Sequence, residues 1–223
     1  MAAHTDAAAP PHVVGRPESA ADWAQAHGRK VLIVALIIGA AVAGYYLYTA
    51  TKARKAERAE RAYAEAQQAL AGGNAPAART GLQNVATRYG DTPAGVQATI
   101  FLAQLLFDEK KYDEGVRRLN DVAGHSAAKA HRSAIHNLIG SAYEEQGKLA
   151  EAAAEYRKAA DAALVDTDRL TMRANEARVL TRANKTEDAR RIWKELSDDP
   201  TGPMAGEARV RLGELDAKAA GQR

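Results

Sequence analysis

Two histidines and a small group of charged side chains are the residues in this sequence best suited to chemistry. His131 and His136 are five residues apart, which on a helix separates them by about 140°. A single metal ion needs ligands that converge on it, so this spacing does not favour metal binding. Glu144 and Glu145 lie close to Lys148, a pattern more typical of a solvated helix end than of an acid–base pair. We therefore predict no catalytic residue, no metal site and no cofactor.

The motifs of the common enzyme classes are also absent from the sequence. Its 223 residues contain no glycine-rich phosphate loop, no HExxH and no GxSxG. There is no cysteine, which excludes disulfides, thiolate metal sites and cysteine nucleophiles. The tripeptide NKT at residues 184–186 matches a glycosylation site, but it lies at a predicted hairpin turn, and a turn is the favoured interpretation. The chain is predicted not to be an enzyme.

The composition favours a helical protein that does not bind nucleic acid. Hydrophobic residues make up 46% and charged residues 26%, which is ordinary for a globular chain, whereas aromatic residues reach only 5% and alanine is abundant. Alanine has the highest helix propensity of all residues. The formal net charge of +3 is too small to indicate a nucleic-acid partner.

An apolar run divides the chain into three segments. Residues 31–51 carry no charge, and as a helix these 21 residues would extend about 31 Å, which matches the hydrocarbon core of a bilayer. We predict a disordered tail and juxtamembrane segment over residues 1–28, a transmembrane helix over 29–51 and a helical domain over 52–223. Within the span, Ala35, Gly39 and Ala43 recur every four residues, a spacing that suits contact with another transmembrane helix or simply a lipid-facing surface.

A cleaved signal peptide is the alternative for the same run. The residues AVA at 41–43 resemble a cleavage site. The leading region of 30 residues is long for a signal peptide, however, and the apolar run continues beyond this point. An anchor is therefore the favoured interpretation.

The remainder of the chain repeats with a period of 37 residues. One small position recurs in four units, as do a second small position, two bulky positions and a turn position. In that order, these positions are Ala66, Ala103, Gly140 and Ala177; Ala78, Gly115, Ala152 and Ala189; Leu82, Leu119, Tyr156 and Trp193; Val85, Val122, Ala159 and Leu196; and Gly73, Lys110, Gly147 and Asn184. The pattern predicts four helical hairpins in which small residues allow close packing, with Ala153 exposed. A last helix with Met204, Ala208, Leu212 and Leu215 on one face is predicted to cap them.

The third unit resembles the tetratricopeptide repeat. The resemblance rests on Gly140, Tyr143, Gly147, Ala152, Tyr156 and Ala159, which follow its order of small, aromatic, turn, small, aromatic and small residues. The fourth unit departs from the repeat, because Arg173 and Glu176 stand where apolar residues are expected. The resemblance implies an all-α fold, in which the transmembrane helix precedes a tetratricopeptide-like α-solenoid of about four hairpins and a capping helix.

The order of tail, single span and degenerate repeats is similar to that of a bacterial family of inner-membrane proteins. Members of that family are ancillary to the Sec translocon and act as periplasmic chaperones. The resemblance implies a cytoplasmic N-terminus, repeats in the periplasm, and translocon components and unfolded or translocating polypeptides as partners. The charges conflict with this topology, because five basic residues closely follow the uncharged run 31–51 whereas only two, Arg29 and Lys30, immediately precede it.

By the same resemblance, a polypeptide would bind in a groove lined by the first helix of each hairpin. The residues expected there are Tyr63, Gln67, Leu70, Ile100, Gln104, Phe107, Asn137, Ser141, Glu144, Arg178 and Arg182. Amides beside scattered apolar groups suit an extended polypeptide, whereas a ring of cations for a terminal carboxylate is not expected here. Two other classes of function stay open. One is an envelope assembly scaffold with a single fixed partner, and the more remote one is a membrane-tethered enzyme.

Overall fold

A computed structural model describes residues 20–220 of the chain, with side chains from His27 onward. Most of the predicted N-terminal tail, residues 1–19, lies outside the described residues, and residues 20–28 lie in the first helix. The described residues form helices and no strand. The α-helices are α1 (Ala20–Ala71), α2 (Ala75–Tyr89), α3 (Pro93–Asp108), α4 (Tyr112–Ala123), α5 (Arg132–Glu145), α6 (Leu149–Asp161), α7 (Asp166–Arg182), α8 (Thr186–Ser197) and α9 (Ala205–Ala220), and a 3₁₀ helix (Ser126–His131) precedes α5.

Contacts divide the chain into two compact units, residues 1–52 and residues 53–223. In the first unit, the large apolar side chains of the run that begins at Val31 are exposed along α1. This helix is long and apolar enough to cross a membrane, although a signal sequence near the N-terminus would share that length and composition. A β-carbon added at Gly39 would meet no atom within 4 Å. The contact predicted through Ala35, Gly39 and Ala43 therefore stays a prediction.

In the second unit, four turns of the same geometry connect the two helices of each hairpin. Gly73, Lys110, Gly147 and Asn184 have φ values of 78°, 60°, 74° and 57°, which lie in the left-handed region. Around Gly147, its own N–H donates to the carbonyl of Glu144 at 3.0 Å and the N–H of Lys148 donates to that of Tyr143 at 2.8 Å. The same two hydrogen bonds recur at the other three turns. This is the Schellman motif, and it confirms the turn positions that the 37-residue period predicts.

The small and bulky positions of the repeat are buried in all four units, which confirms the predicted register. Gly140 shows why small residues are needed, because a β-carbon there would lie 3.0 Å from the ring of Tyr156 on the second helix. Gly115 lies even closer to its partner, since its β-carbon would be 2.4 Å from the Phe107 ring. In both pairs, a glycine on one helix contacts an aromatic ring on the other, so the two helices of the hairpin pack closely. Such close packing is normal for protein interiors.

Ala153 contradicts its prediction. The repeat pattern predicts an exposed side chain, but Ala153 is only 4% exposed and belongs to a core cluster with Ala174 and Ala177 of α7. The reason is that α6 packs against helices on two sides, α5 before it and α7 after it, so its buried face is wider than one hairpin needs.

The buried residues form three clusters that follow the order of the chain. The first joins α1, α2 and α3, and the second joins α3, α4, the 3₁₀ helix and α5. The third extends from α6 to α9 and contains Ala208 and Leu215, with Met204 and Leu212 packed against it. The predicted cap is therefore confirmed. This succession of clusters is the stacking expected when one hairpin cannot bury its apolar face alone.

Replacing Lys110 by glycine should stabilise the fold. A lysine pays a steric penalty at a positive φ that glycine does not, so we expect Lys110→Gly to raise the free energy of unfolding by about 1 kcal/mol. Urea unfolding followed by circular dichroism would measure this change. Lys185→Gly is the matched control, because Lys185 follows a turn but has a φ of −85°. An equal gain in both variants would contradict the strain argument.

Candidate functional site

The predicted groove residues occupy equivalent positions in successive repeats. Gln67, Gln104, Ser141 and Arg178 are each 37 residues apart, on α1, α3, α5 and α7. The first three side chains are exposed, and Arg178 is half-buried. We call these four positions the first-helix surface. Exposed polar groups at one repeated position are available for contacts with another molecule without any change in the core.

The apolar groove residues take part in the core more than the sequence suggests. Tyr63 packs against the first cluster, and Ile100 and Phe107 pack against the second. Phe107 lies directly over Gly115, so it also closes its own hairpin. Leu70 is more accessible, with 38% of its surface exposed, and Asn137 is partly buried on α5. Any role of these side chains in binding stays a prediction.

The structure brings together three predicted residues that the sequence separates by up to 38 positions. Glu144 of α5, together with Arg178 and Arg182 of α7, lines a cavity of about 260 Å³. Thr181, Trp193 of α8 and Arg211 of α9 complete its lining. Trp193 and Arg211 were not predicted as site residues. The repeat pattern identifies Trp193 only as a bulky core residue, and no pattern in the sequence places α9 beside α7 at this point.

Hydrogen bonds fix the charged groups of this cavity. Glu144 accepts a hydrogen bond from the Tyr156 hydroxyl at 2.9 Å and another from the Arg182 guanidinium. Burial, together with the Glu144 carboxylate, raises the pKa of Tyr156, so this hydroxyl stays protonated and donates. Arg178 donates from Nε to Glu207 of α9 at 2.7 Å and from a second nitrogen to the other carboxylate oxygen. This bidentate pair holds the pKa of Glu207 below its ordinary value.

Ion pairs also replace apolar contacts elsewhere in the third and fourth repeats. Glu176 is fully buried, and its two carboxylate oxygens accept from Arg157 of α6 at 2.8 Å and from Arg173 of α7 at 2.5 Å. A buried charge is tolerated only when it is paired and hydrogen-bonded, which explains why Arg173 and Glu176 depart from the repeat pattern together.

His131 and His136, the two histidines considered above for metal binding, lie in positions that serve the packing and connection of helices. His136 of α5 lies with Nδ1 2.7 Å from Oε2 of Glu155 on α6, whose other oxygen accepts from Lys158 at 2.6 Å. Burial by itself would raise the pKa of Glu155, but the hydrogen bonds to His136 and Lys158, together with the nearby charge of Lys158, lower it. His131 ends the 3₁₀ helix before α5. His136 therefore lies at a packing position between two helices, and His131 lies in a connection.

Both the sequence and the fold of this chain resemble those of known repeat proteins. The sequence profile of a family described as a tetratricopeptide repeat-like domain matches residues 21–195. Among curated proteins, none matches this chain. The crystal structure of nearly identical TPR-like repeats assigned to a kinesin light chain of Podosopora anserina has a similar fold, with a TM-score of 0.54 and 17% identity over 74% of this chain and 88% of that chain. A variant of the same repeats gives a TM-score of 0.53. At this identity the likeness concerns the fold.

The contact between Glu207 and Arg178 should make stability depend on pH. A carboxylate whose pKa is lowered by folding contributes stability above its unfolded pKa, and that contribution is lost as the pH falls through the folded pKa. We expect Glu207→Gln to lower the free energy of unfolding at pH 7 by up to about 1 kcal/mol, and the difference to disappear well below about pH 4.

Urea unfolding of both proteins between pH 3 and pH 7 would measure the difference. Glu145→Gln is the matched control, because Glu145 is exposed on α5 and does not line the cavity. If the effect of Glu207→Gln were the same at every pH in this range, the charge of Glu207 would not be its cause.

Proposed function

The chain belongs to the tetratricopeptide repeat-like domain family, and from that premise we propose that it binds polypeptides in the bacterial cell envelope. The observation that carries the proposal is the first-helix surface, where exposed Gln67, Gln104 and Ser141 recur on successive first helices. Several modest contacts of this kind suit an extended chain and place few demands on its sequence. In the specific form proposed, the protein is a periplasmic chaperone and an ancillary subunit of the Sec translocon.

Membrane anchoring through residues 29–51 is part of the proposal. Two observations support it. The apolar side chains of this part of α1 are exposed, whereas the core helix of a soluble domain would bury them. The family profile begins at residue 21 and so includes the apolar run together with the repeats, which favours an anchor over a segment that is removed.

An envelope scaffold with one fixed partner is the second candidate. The cavity beside Trp193 favours it, because its lining of three arginines and one glutamate has a defined charge pattern that could select one ligand. The two candidates differ in the number of proteins that each contacts: a chaperone contacts many clients, whereas a scaffold contacts one fixed partner. The membrane-tethered enzyme has no supporting observation among the described residues.

The orientation in the membrane is open to a direct test. The family resemblance predicts a periplasmic repeat domain, whereas the basic residues after the span favour the opposite orientation. We expect a reporter that is active only after export to be active when it is fused after Arg223. The same reporter fused after Gly28, before the span, is the control and should be inactive. Activity of a cytoplasm-only reporter at Arg223 would overturn both the periplasmic location and the chaperone function.

Crosslinking from the first-helix surface would test polypeptide binding. We expect a photoreactive amino acid placed at Gln67, Gln104 or Ser141 in intact cells to give many crosslinked proteins of different sizes. Gln83 and Asn120, which are equivalent exposed positions on α2 and α4, provide matched controls and should give far fewer products. A single dominant product would identify the fixed-partner scaffold. Equal labelling from both sets of positions would contradict binding through the first-helix surface.

A further inference from the structure

A short segment of α1 with a high density of positive charge directly follows the apolar run. Five of the ten residues in 52–61 are basic and two are acidic, whereas residues 31–51 carry no charge. Basic residues close to a membrane surface are attracted to anionic lipid headgroups, and this attraction falls off within about a Debye length. The five basic residues are Lys52, Arg54, Lys55, Arg58 and Arg61.

Arg58 is surrounded by positive charge on its own helix. Arg54 and Lys55 precede it by four and three residues, and Arg61 follows it by three. Side chains at these spacings are neighbours on a helix surface, and like charges there destabilise the helix. The remaining neighbouring position, four residues after Arg58, holds an alanine, Ala62. The segment therefore concentrates a repulsion at Arg58 that a bound anion would relieve.

Acidic side chains neutralise two of these cations but not the other two. Lys55 pairs with Asp91 at 2.6 Å, and Arg61 pairs with Glu57 one turn earlier on α1. The other two are Arg54 and Arg58, which we call the arginine pair. Both members are exposed, and among the described residues neither pairs with an acid. The arginine pair is therefore available to an anion from outside the chain.

The arginine pair also lies at the level that lipid headgroups would occupy. Arg54 follows Thr51, the last residue of the uncharged run, by about 4.5 Å of helix, and Arg58 follows it by about 10 Å. The headgroup layer extends roughly 5–7 Å beyond the hydrocarbon core on each side of a bilayer. Side chains on a helix lean toward its N-terminus, so the long side chain of Arg58 leans back toward the apolar run. Both guanidinium groups can therefore reach the headgroup layer.

We propose that the arginine pair binds the phosphate of an anionic phospholipid such as phosphatidylglycerol. A guanidinium group donates two parallel hydrogen bonds to phosphate oxygens, which makes arginine well suited to this headgroup. Phosphatidylcholine is a weaker ligand, because its choline cation compensates the phosphate charge. The proposal rests on the proposed membrane anchoring through residues 29–51 and adds a specific lipid class to it. A role in lipid binding also accounts for cations that the proposed orientation would otherwise leave unexplained.

Native mass spectrometry of the full chain in detergent would test the lipid preference. The protein is mixed with equal concentrations of phosphatidylglycerol and phosphatidylcholine that carry identical acyl chains, and the lipids that stay bound are identified by their mass. We expect at least about fivefold more bound phosphatidylglycerol, because one basic residue near an anionic membrane surface contributes about that factor.

Variants of equal charge link that preference to the arginine pair. The double variant Arg54→Gln/Arg58→Gln should bind the two lipids equally. The matched control is Arg88→Gln/Arg117→Gln, which removes two charges from exposed arginines of α2 and α4 and should keep the preference. These two arginines also pair with no acid in the part of the chain that the structure describes. Circular dichroism should show the same helicity in both double variants.

Charge reversal at Arg58 separates lipid binding from stability. In detergent without phospholipid, Arg58→Glu should raise the midpoint of thermal unfolding, because a glutamate at this position meets Arg54, Lys55 and Arg61 at favourable spacings. The same variant should lose the preference for phosphatidylglycerol. An unchanged or lower midpoint would contradict the repulsion on which the proposal is built.

Equal binding of the two lipids by the unaltered protein would overturn the proposal and favour an acidic protein as the ligand of the arginine pair. An equal loss in Arg88→Gln/Arg117→Gln would also overturn it, because it would indicate attraction by net charge. Alkaline carbonate extraction of the full chain from phosphatidylcholine vesicles separates this failure from that of the anchor. If the chain resists extraction but shows no lipid preference, the anchor stands and the lipid site does not. If carbonate removes the chain, both proposals fail.

Discussion

The turn inside each hairpin is the constraint on which the rest of the repeat domain depends. One residue with positive φ and two hydrogen bonds end the first helix, and the following residue caps the second helix at Asn74, Lys111, Lys148 and Lys185. The N–H that bonds to the carbonyl of this capping residue belongs in each case to the second small position of the repeat. The turn therefore fixes the register at which the two helices meet. Close packing follows because the facing side chains are small.

Charge pairs let the C-terminal hairpins depart from this apolar scheme without losing their packing. Glu176 takes a buried position between α6 and α7 because arginines from both helices neutralise it. Arg178 in turn connects α7 to α9 through Glu207. Paired charges in partly buried surroundings demand a defined geometry, since loss of one partner leaves the other unpaired. The third and fourth hairpins thus meet with a more specific set of contacts than apolar side chains alone would give.

The sequence contains enough information to predict the hairpins but not the cavity. Steps of 37 residues locate the turns and the buried positions, because a turn residue with positive φ and a small packing residue are each required by local geometry. The burial of Ala153 depends on the next hairpin, so the pattern within one repeat does not reveal it. The cavity is not predicted for a related reason: Trp193 and Arg211 line it together only after α8 and α9 have packed, and the 37-residue repeat does not fix how α9 packs. Long-range side-chain geometry is not periodic, so the repeat does not encode it.

The two ends of the repeat domain offer different chemistry to a bound chain. On the first two hairpins, the first-helix surface presents the amides of Gln67 and Gln104, whose hydrogen bonds suit any polypeptide backbone and discriminate little between sequences. At the other end, Arg178 holds the same repeat position and belongs to a cavity lined with charged groups. A site that combines weak contacts along its length with one charged end gains affinity from the sum and direction from the charge. On the proposed function, an extended client would therefore lie along the first helices in one preferred orientation.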